Sequence, residues 1–97
     1  METYIILGNY TAQGIADIKD SPSRIEAARK AMEAAGGKLV AWYLTLGRYD
    51  FVLITQAPNA GVAASLLLAT GAQGNVRTET LHALTEGEFK DVVAGLP

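Results

Sequence analysis

Apolar residues run unbroken through Tyr4-Ile5-Ile6-Leu7 and through Phe51-Val52-Leu53-Ile54, and almost unbroken through Val40-Ala41-Trp42-Tyr43-Leu44. Runs of β-branched and aromatic residues bounded by glycine and asparagine predict strands over 3–10, 38–46 and 50–56. A fourth strand is predicted over 76–84, where the two-residue period sends Arg77 and Glu79 to one face and Thr78, Thr80 and His82 to the other. Helical spacing takes over between the strands. Ile25, Ala28, Met32 and Ala35 form an inner stripe behind Asp20-Ser21-Pro22-Ser23. That opening combines cap-type side chains, a first-turn proline and the Ser23-to-Glu26 spacing of a capping box. The helix is expected to end near residue 35, at the left-handed stop of Gly36-Gly37. A second helix opens at Pro58-Asn59, runs to about residue 72 and is apolar nearly all round, the pattern of a helix buried on more than one side. Thr85 and Glu88 form a further capping box ahead of a short terminal helix with the stripe Phe89, Val92, Val93 and Leu96. Thr11-Ala12-Gln13-Gly14-Ile15 reads as a connector.

The resulting order, β-α-β then β-α-β with the units joined by a hairpin at Gly47, is that of a ferredoxin-like α+β fold. It predicts a four-stranded antiparallel sheet with two helices on one face and a short C-terminal helix, forming a single domain over 1–97. The face without helices presents a difficulty. A sheet wet on one side alternates apolar and polar residues, yet three of these strands are continuously apolar. No remaining segment is large enough to cover that face, so the expected cover is the same face of a second copy, giving a homodimer or a higher homo-oligomer.

Composition narrows the chemistry. With no cysteine and His82 as the one histidine among 97 residues, neither a thiolate metal site nor a disulfide framework can form, and neither a metal nor a cofactor is expected. A formal charge of −2 with interspersed signs speaks against nucleic acid as a partner. Arg24, Arg29 and Lys30 would form a basic cluster but for Glu26 and Glu33. The spacings Glu26 to Lys30 and Arg29 to Glu33 are those of exposed helix pairs. The apolar stretch around 62–69 is too short to span a bilayer, and Met1-Glu2-Thr3 leads into a strand without a signal-type segment, so a cytoplasmic protein is expected.

Three stretches carry a resemblance to a known family. Gly47-Arg48-Tyr49-Asp50, ahead of an apolar strand, resembles the Gly-x-Tyr-Asp motif of the GYD domain. Thr11-Ala12-Gln13-Gly14-Ile15 followed by Ser23-Arg24 is similar to that family's opening, and Gly74-Asn75-Val76-Arg77-Thr78-Glu79-Thr80-Leu81 to its last strand. The resemblance implies a dimeric α/β barrel and implies no activity. Gln56 and Asn59 stand where acidic residues would be expected in such proteins.

The residues able to carry chemistry each have two readings. Asp50 either caps its hairpin by accepting backbone N–H groups while Tyr49 packs at the sheet end, or the two line a pocket mouth as phenol and carboxylate. Arg77 and Glu79 form either an intrasheet ion pair or, with Arg48, a ligand-binding set. His82 is either a hydrogen-bonded strand residue or a base, being the one side chain whose ordinary pKa lies near neutrality. Ser21 and Ser23 read as caps and Ser65 as a small packed residue. Trp42, Tyr43 and Met32 read as core rather than as a cofactor box. A homo-oligomeric small-molecule-binding or accessory protein is therefore expected. The alternatives are a cofactor-free isomerase or oxygenase using His82 or the Tyr49-Asp50 pair as base, and a pure assembly module.

Overall fold

The computed structural model describes residues 1–97. Four antiparallel strands, β1 (Glu2–Tyr10), β2 (Lys38–Leu44), β3 (Phe51–Ala57) and β4 (Val76–Ala83), form one sheet in the order β2-β3-β1-β4. The fold is α+β and ferredoxin-like. β1 is central and pairs along its length with both β3 and β4. Its alternation divides the sheet into two faces. Tyr4 and Ile6 lie opposite Thr55 and Leu53 on one side and His82 and Thr80 on the other, all facing the helices. Ile5 and Leu7 lie opposite Ile54 and Val52, and opposite Leu81 and Glu79, on the face without helices. A bulge at Val40 shifts the register of β2, so Leu39 and Trp42 share the helix side although they are three residues apart.

The helices are α1 (Ala12–Ala16), α2 (Ser21–Ala34), α3 (Ala60–Ala72) and α4 (Glu86–Ala94). α1 and a single 3-10 turn over Ile18–Asp20 replace the expected connector, because the Thr11 side chain accepts the N–H of Gly14 and starts a helical turn. α2 begins as expected but without its capping box. Ser23 lies inside the helix and donates to the carbonyl of Asp20, while Glu26 pairs with Arg29. The anticipated Glu26–Lys30 and Arg29–Glu33 pairs give way to that contact and to Arg24 with Asp20 at 3.8 Å. Gly36, at φ +83°, supplies the left-handed stop. Asn59 accepts the N–H of Val62 and so caps α3. The predicted Thr85–Glu88 box is complete in both directions at the start of α4.

The packing is open. Only Tyr4, Ile6, Met32, Leu39, Phe51 and Ala57 form the buried apolar core. α3, expected to be buried on several sides, has no buried residue, and Leu68 on it is 75% exposed. α4 extends away from the sheet with at most marginal contact, and its stripe faces outward, Phe89 being 58% exposed. The molecule measures 53 × 31 × 18 Å, and its radius of gyration of 14.7 Å exceeds the roughly 12.5 Å typical of a compact chain of this length. Accessible surface tells the same story: 6362 Å² against roughly 5300 Å² for a folded monomer of 10.2 kDa. No helix is long and apolar enough to cross a membrane.

Candidate functional site

α2 and α3 do not close over the sheet. They leave between them a cavity of about 270 Å³, floored by the helix-side residues of all four strands. Trp42 stacks on Phe51 at a centroid distance of 5.6 Å and forms part of the floor with Ile6 and Leu53. Met32 joins this lining, but Tyr43 lies on the opposite face, so the three residues weighed as a cofactor box are not together. At one end the hydroxyls of Tyr10 and Ser21 are 2.6 Å apart. Arg24 lies one helical turn beyond Ser21 on the same wall. The cavity is partly open to solvent, so its apolar walls meet water in the isolated chain.

The residues singled out from the sequence lie elsewhere. Tyr49 donates its hydroxyl to Glu79 at 2.5 Å across the face without helices, and the Arg48 guanidinium lies 5.9 Å from the Tyr49 ring centroid. The hydrogen bond to Glu79, with partial burial and the charge of Glu79, raises the Tyr49 phenol above its ordinary value. Glu79 is therefore engaged by Tyr49, and the expected Arg77–Glu79 ion pair does not form. Asn9, Thr11, Tyr49, Arg77 and Glu79 line a shallow depression at this end of the sheet. Asp50 does not join it. Its carboxylate accepts the backbone N–H of Tyr10 at 2.9 Å instead of capping its own hairpin. The register explains the difference, for Gly8 is opposite Phe51 and the preceding Asp50 lies alongside the end of β1. Tyr49 and Asp50 thus do not act as a side-by-side pair.

His82 is on the helix side, stacked on Tyr4 with centroids 4.9 Å apart, and it does not line the cavity. It shares no site with Tyr49 or Asp50. No three histidine or carboxylate side chains converge as a metal-binding group would require. Sequence reading passed over Tyr10, Ser21 and Arg24. Ser21 was legible only as a cap, Arg24 only as part of a charged helix face, and Tyr10 as the last residue of a strand.

A profile of the GYD domain matches residues 4–93. The chain belongs to the GYD domain family. A relative from Thermus thermophilus, the glutamine synthetase and cystathionine beta-lyase binding protein, is 35% identical over 85 residues, covering 87% of this GYD chain and 90% of its own. Among solved structures the GYD chain is similar to MtbAldR, with a TM-score of 0.69 at 17% identity over 88% of its length. It is also similar to the leucine response regulatory protein LrpA of Mycobacterium tuberculosis, with a TM-score of 0.56 at 18% identity over 87%. The chain spans about half the length of these two proteins, 52% and 51% respectively. A crystal structure of a Thermus thermophilus protein gives 0.51 at 22% identity, covering 88% of this chain and 95% of that one. These likenesses show the fold.

The three stretches that carried the GYD resemblance meet at one place, the C-terminal end of β1. Asp50 holds Tyr10 from one side, and the Asp50 N–H donates to the carbonyl of Gly8 at 2.8 Å. From the other side Thr11 donates its hydroxyl to the carbonyl of Gly74 and its N–H to that of Asn75. Gln13 donates to the carbonyl of Gln73 and to the Asn75 side chain. Carbonyls left unpaired at the end of α3 are thereby satisfied from the GYD opening segment. Gly14 fits under this latch because a Cβ there would lie 2.0 Å from the Asn75 carbonyl oxygen.

Proposed function

We propose that this GYD chain is a single cytoplasmic domain over 1–97 that works as a homo-oligomeric accessory protein, binding other proteins rather than carrying out a reaction of its own. The observation that carries the reading is the surplus of uncovered apolar surface. The face with Ile5, Leu7, Val52, Ile54 and Leu81 has no cover within the chain, and the α4 stripe has none either. The roughly 1000 Å² of surface beyond a compact monomer's is the scale of one partner's share in a stable interface. The first occupant is a second copy, sheet face to sheet face, as in a dimeric α/β barrel. The relative's name supports enzymes of amino-acid metabolism, glutamine synthetase and cystathionine beta-lyase, as the further partners. A cofactor-free isomerase or oxygenase has less support, because His82, Tyr49 and Asp50 stand apart.

The test has two stages. Light scattering on the purified protein should give at least twice 10.2 kDa, and Ile54→Lys, at the centre of the uncovered face, should give a single chain; a monomeric native protein would overturn the reading. Co-elution with purified glutamine synthetase or cystathionine beta-lyase then tests the accessory role. Elution apart from both removes the support drawn from the relative.

A second reading, that the chain also holds a small molecule, is favoured by the cavity between sheet and helices. Its walls are apolar, and a few polar groups gather at one end, the usual make-up of a ligand site.

A further inference from the structure

We infer that the cavity between α2, α3 and the sheet takes a small apolar carboxylate, with its hydrocarbon part over Trp42 and Phe51 and its anionic head at Arg24, Tyr10 and Ser21. This deepens the ligand-holding reading and rests on it. Charge decides the class. Of the 25 residues lining the cavity Arg24 alone is charged, and no carboxylate is among them. A cationic ligand would meet no counter-charge there, whereas an anion meets a guanidinium that can donate two parallel hydrogen bonds to a carboxylate. Asp20 approaches the Arg24 guanidinium at 3.8 Å and the Asp17 carbonyl accepts from it at 3.4 Å, but both contacts are long and exposed and neither residue is in the lining, so they leave Arg24 with donors for a carboxylate.

Elimination among the neutral polar groups points to the same end. The Thr55 hydroxyl donates to the carbonyl of Tyr4, that of Thr70 to the carbonyl of Leu66, and the amide oxygen of Asn75 accepts from Gln13. Gln73 and Thr78 also line the cavity, but being neutral they select no charge. The Tyr10 and Ser21 hydroxyls have only each other, with one proton still to donate. Both are on the Arg24 wall or beside it. Of the rest of the lining, Tyr4 donates its hydroxyl to Glu2 and Trp42 carries one neutral indole N–H, while Ile25, Ala28, Met32, Leu39, Leu66 and Leu67 offer only hydrocarbon.

Trp42 is the one tryptophan in the chain and lines the cavity, so its emission reports occupancy. The probes are octanoate, octanamide and octylamine, which share a tail and differ in charge, titrated into the full-length protein. Octanoate should shift Trp42 emission and bind about tenfold or more tightly than the other two, the worth of one charge-assisted contact. Arg24→Gln should abolish that preference, Arg24→Lys should keep part of it, and Ala28→Phe, which fills the cavity, should weaken all three probes. Equal binding of the three, or an acid preference surviving Arg24→Gln, overturns the carboxylate assignment while leaving a ligand-holding cavity. No Trp42 response to any probe overturns both.

Discussion

The Asp50 carboxylate accepts the backbone N–H of Tyr10 at 2.9 Å, tying the hairpin between β2 and β3 to a residue 40 positions earlier in the chain. Asp50→Ala leaves that N–H, at a partly buried strand end, without its acceptor. The expected loss is about 1.5 kcal/mol, the value of a hydrogen bond to an ionised group. Denaturant melts at fixed protein concentration check it. Asp50→Asn should recover part of the loss, since an amide oxygen can still accept.

Two glycine-to-alanine changes should move stability in opposite directions. Gly14→Ala places a methyl group against the Asn75 carbonyl and should cost about 2 kcal/mol or more as the latch is forced open. Gly71→Ala, inside α3 with nothing near its would-be Cβ, should stabilise by about 0.5–1 kcal/mol. Thermal melts of the pair decide it; two losses of similar size would contradict the latch.

The Tyr49 phenol is raised by donating to Glu79, and the Tyr4 phenol by donating to Glu2. A group raised on folding adds stability that is fully present below its ordinary value near 10 and is lost as pH climbs through the raised one. Ultraviolet titration should therefore show two late-ionising tyrosines. Glu79→Gln should return one of them towards the ordinary range without affecting the other. Tyr49→Phe should remove that same one and lower the melting temperature slightly, since the hydrogen bond is exposed.

Glu88 behaves in the opposite sense. The Thr85 N–H that it accepts holds its carboxyl below the ordinary value, so its contribution to α4 is present above that value and disappears as pH falls through the lowered one. Amide resonances of the first α4 turn should follow this titration in an acid series. Glu88→Gln, still an acceptor but without an ionisable proton, should flatten the response.

The four strands, the three longer helices and their order were legible because they follow from local periodicity and capping, whereas the short α1 read as a connector. Ile25, Ala28 and Met32 announce α2, and Thr85 with Glu88 announces α4, within a few residues of where each acts. The uncovered sheet face was legible too, since the unbroken run Tyr4-Ile5-Ile6-Leu7 leaves no polar side. What failed were side-chain partners across the fold. Glu79 found Tyr49, 30 residues away, instead of Arg77 two residues away. Asp50 reached Tyr10, and Ser21 met the hydroxyl of Tyr10. Each depends on strand register and on how far a helix stands from the sheet, which spacing along the chain does not encode. The cavity was hidden for the same reason: its polar end is assembled from the end of one strand and the first turn of one helix.

The central position of β1 sets the order in which the molecule can be completed. This strand leaves the ribosome before either of its neighbours exists, and its hydrogen-bonding edges wait for β3 and β4. The bond from Thr11 to Gly74 spans 63 positions. Folding must close that long loop before the latch repays it, which makes the rate slow compared with helical domains of equal size. Throughout the wait Tyr4-Ile5-Ile6-Leu7 is an uncharged, β-prone segment with both edges open, the part of a nascent chain that pairs most readily with the wrong partner. A sheet built around a strand made before both of its partners thus places the demand for protection during synthesis on that strand.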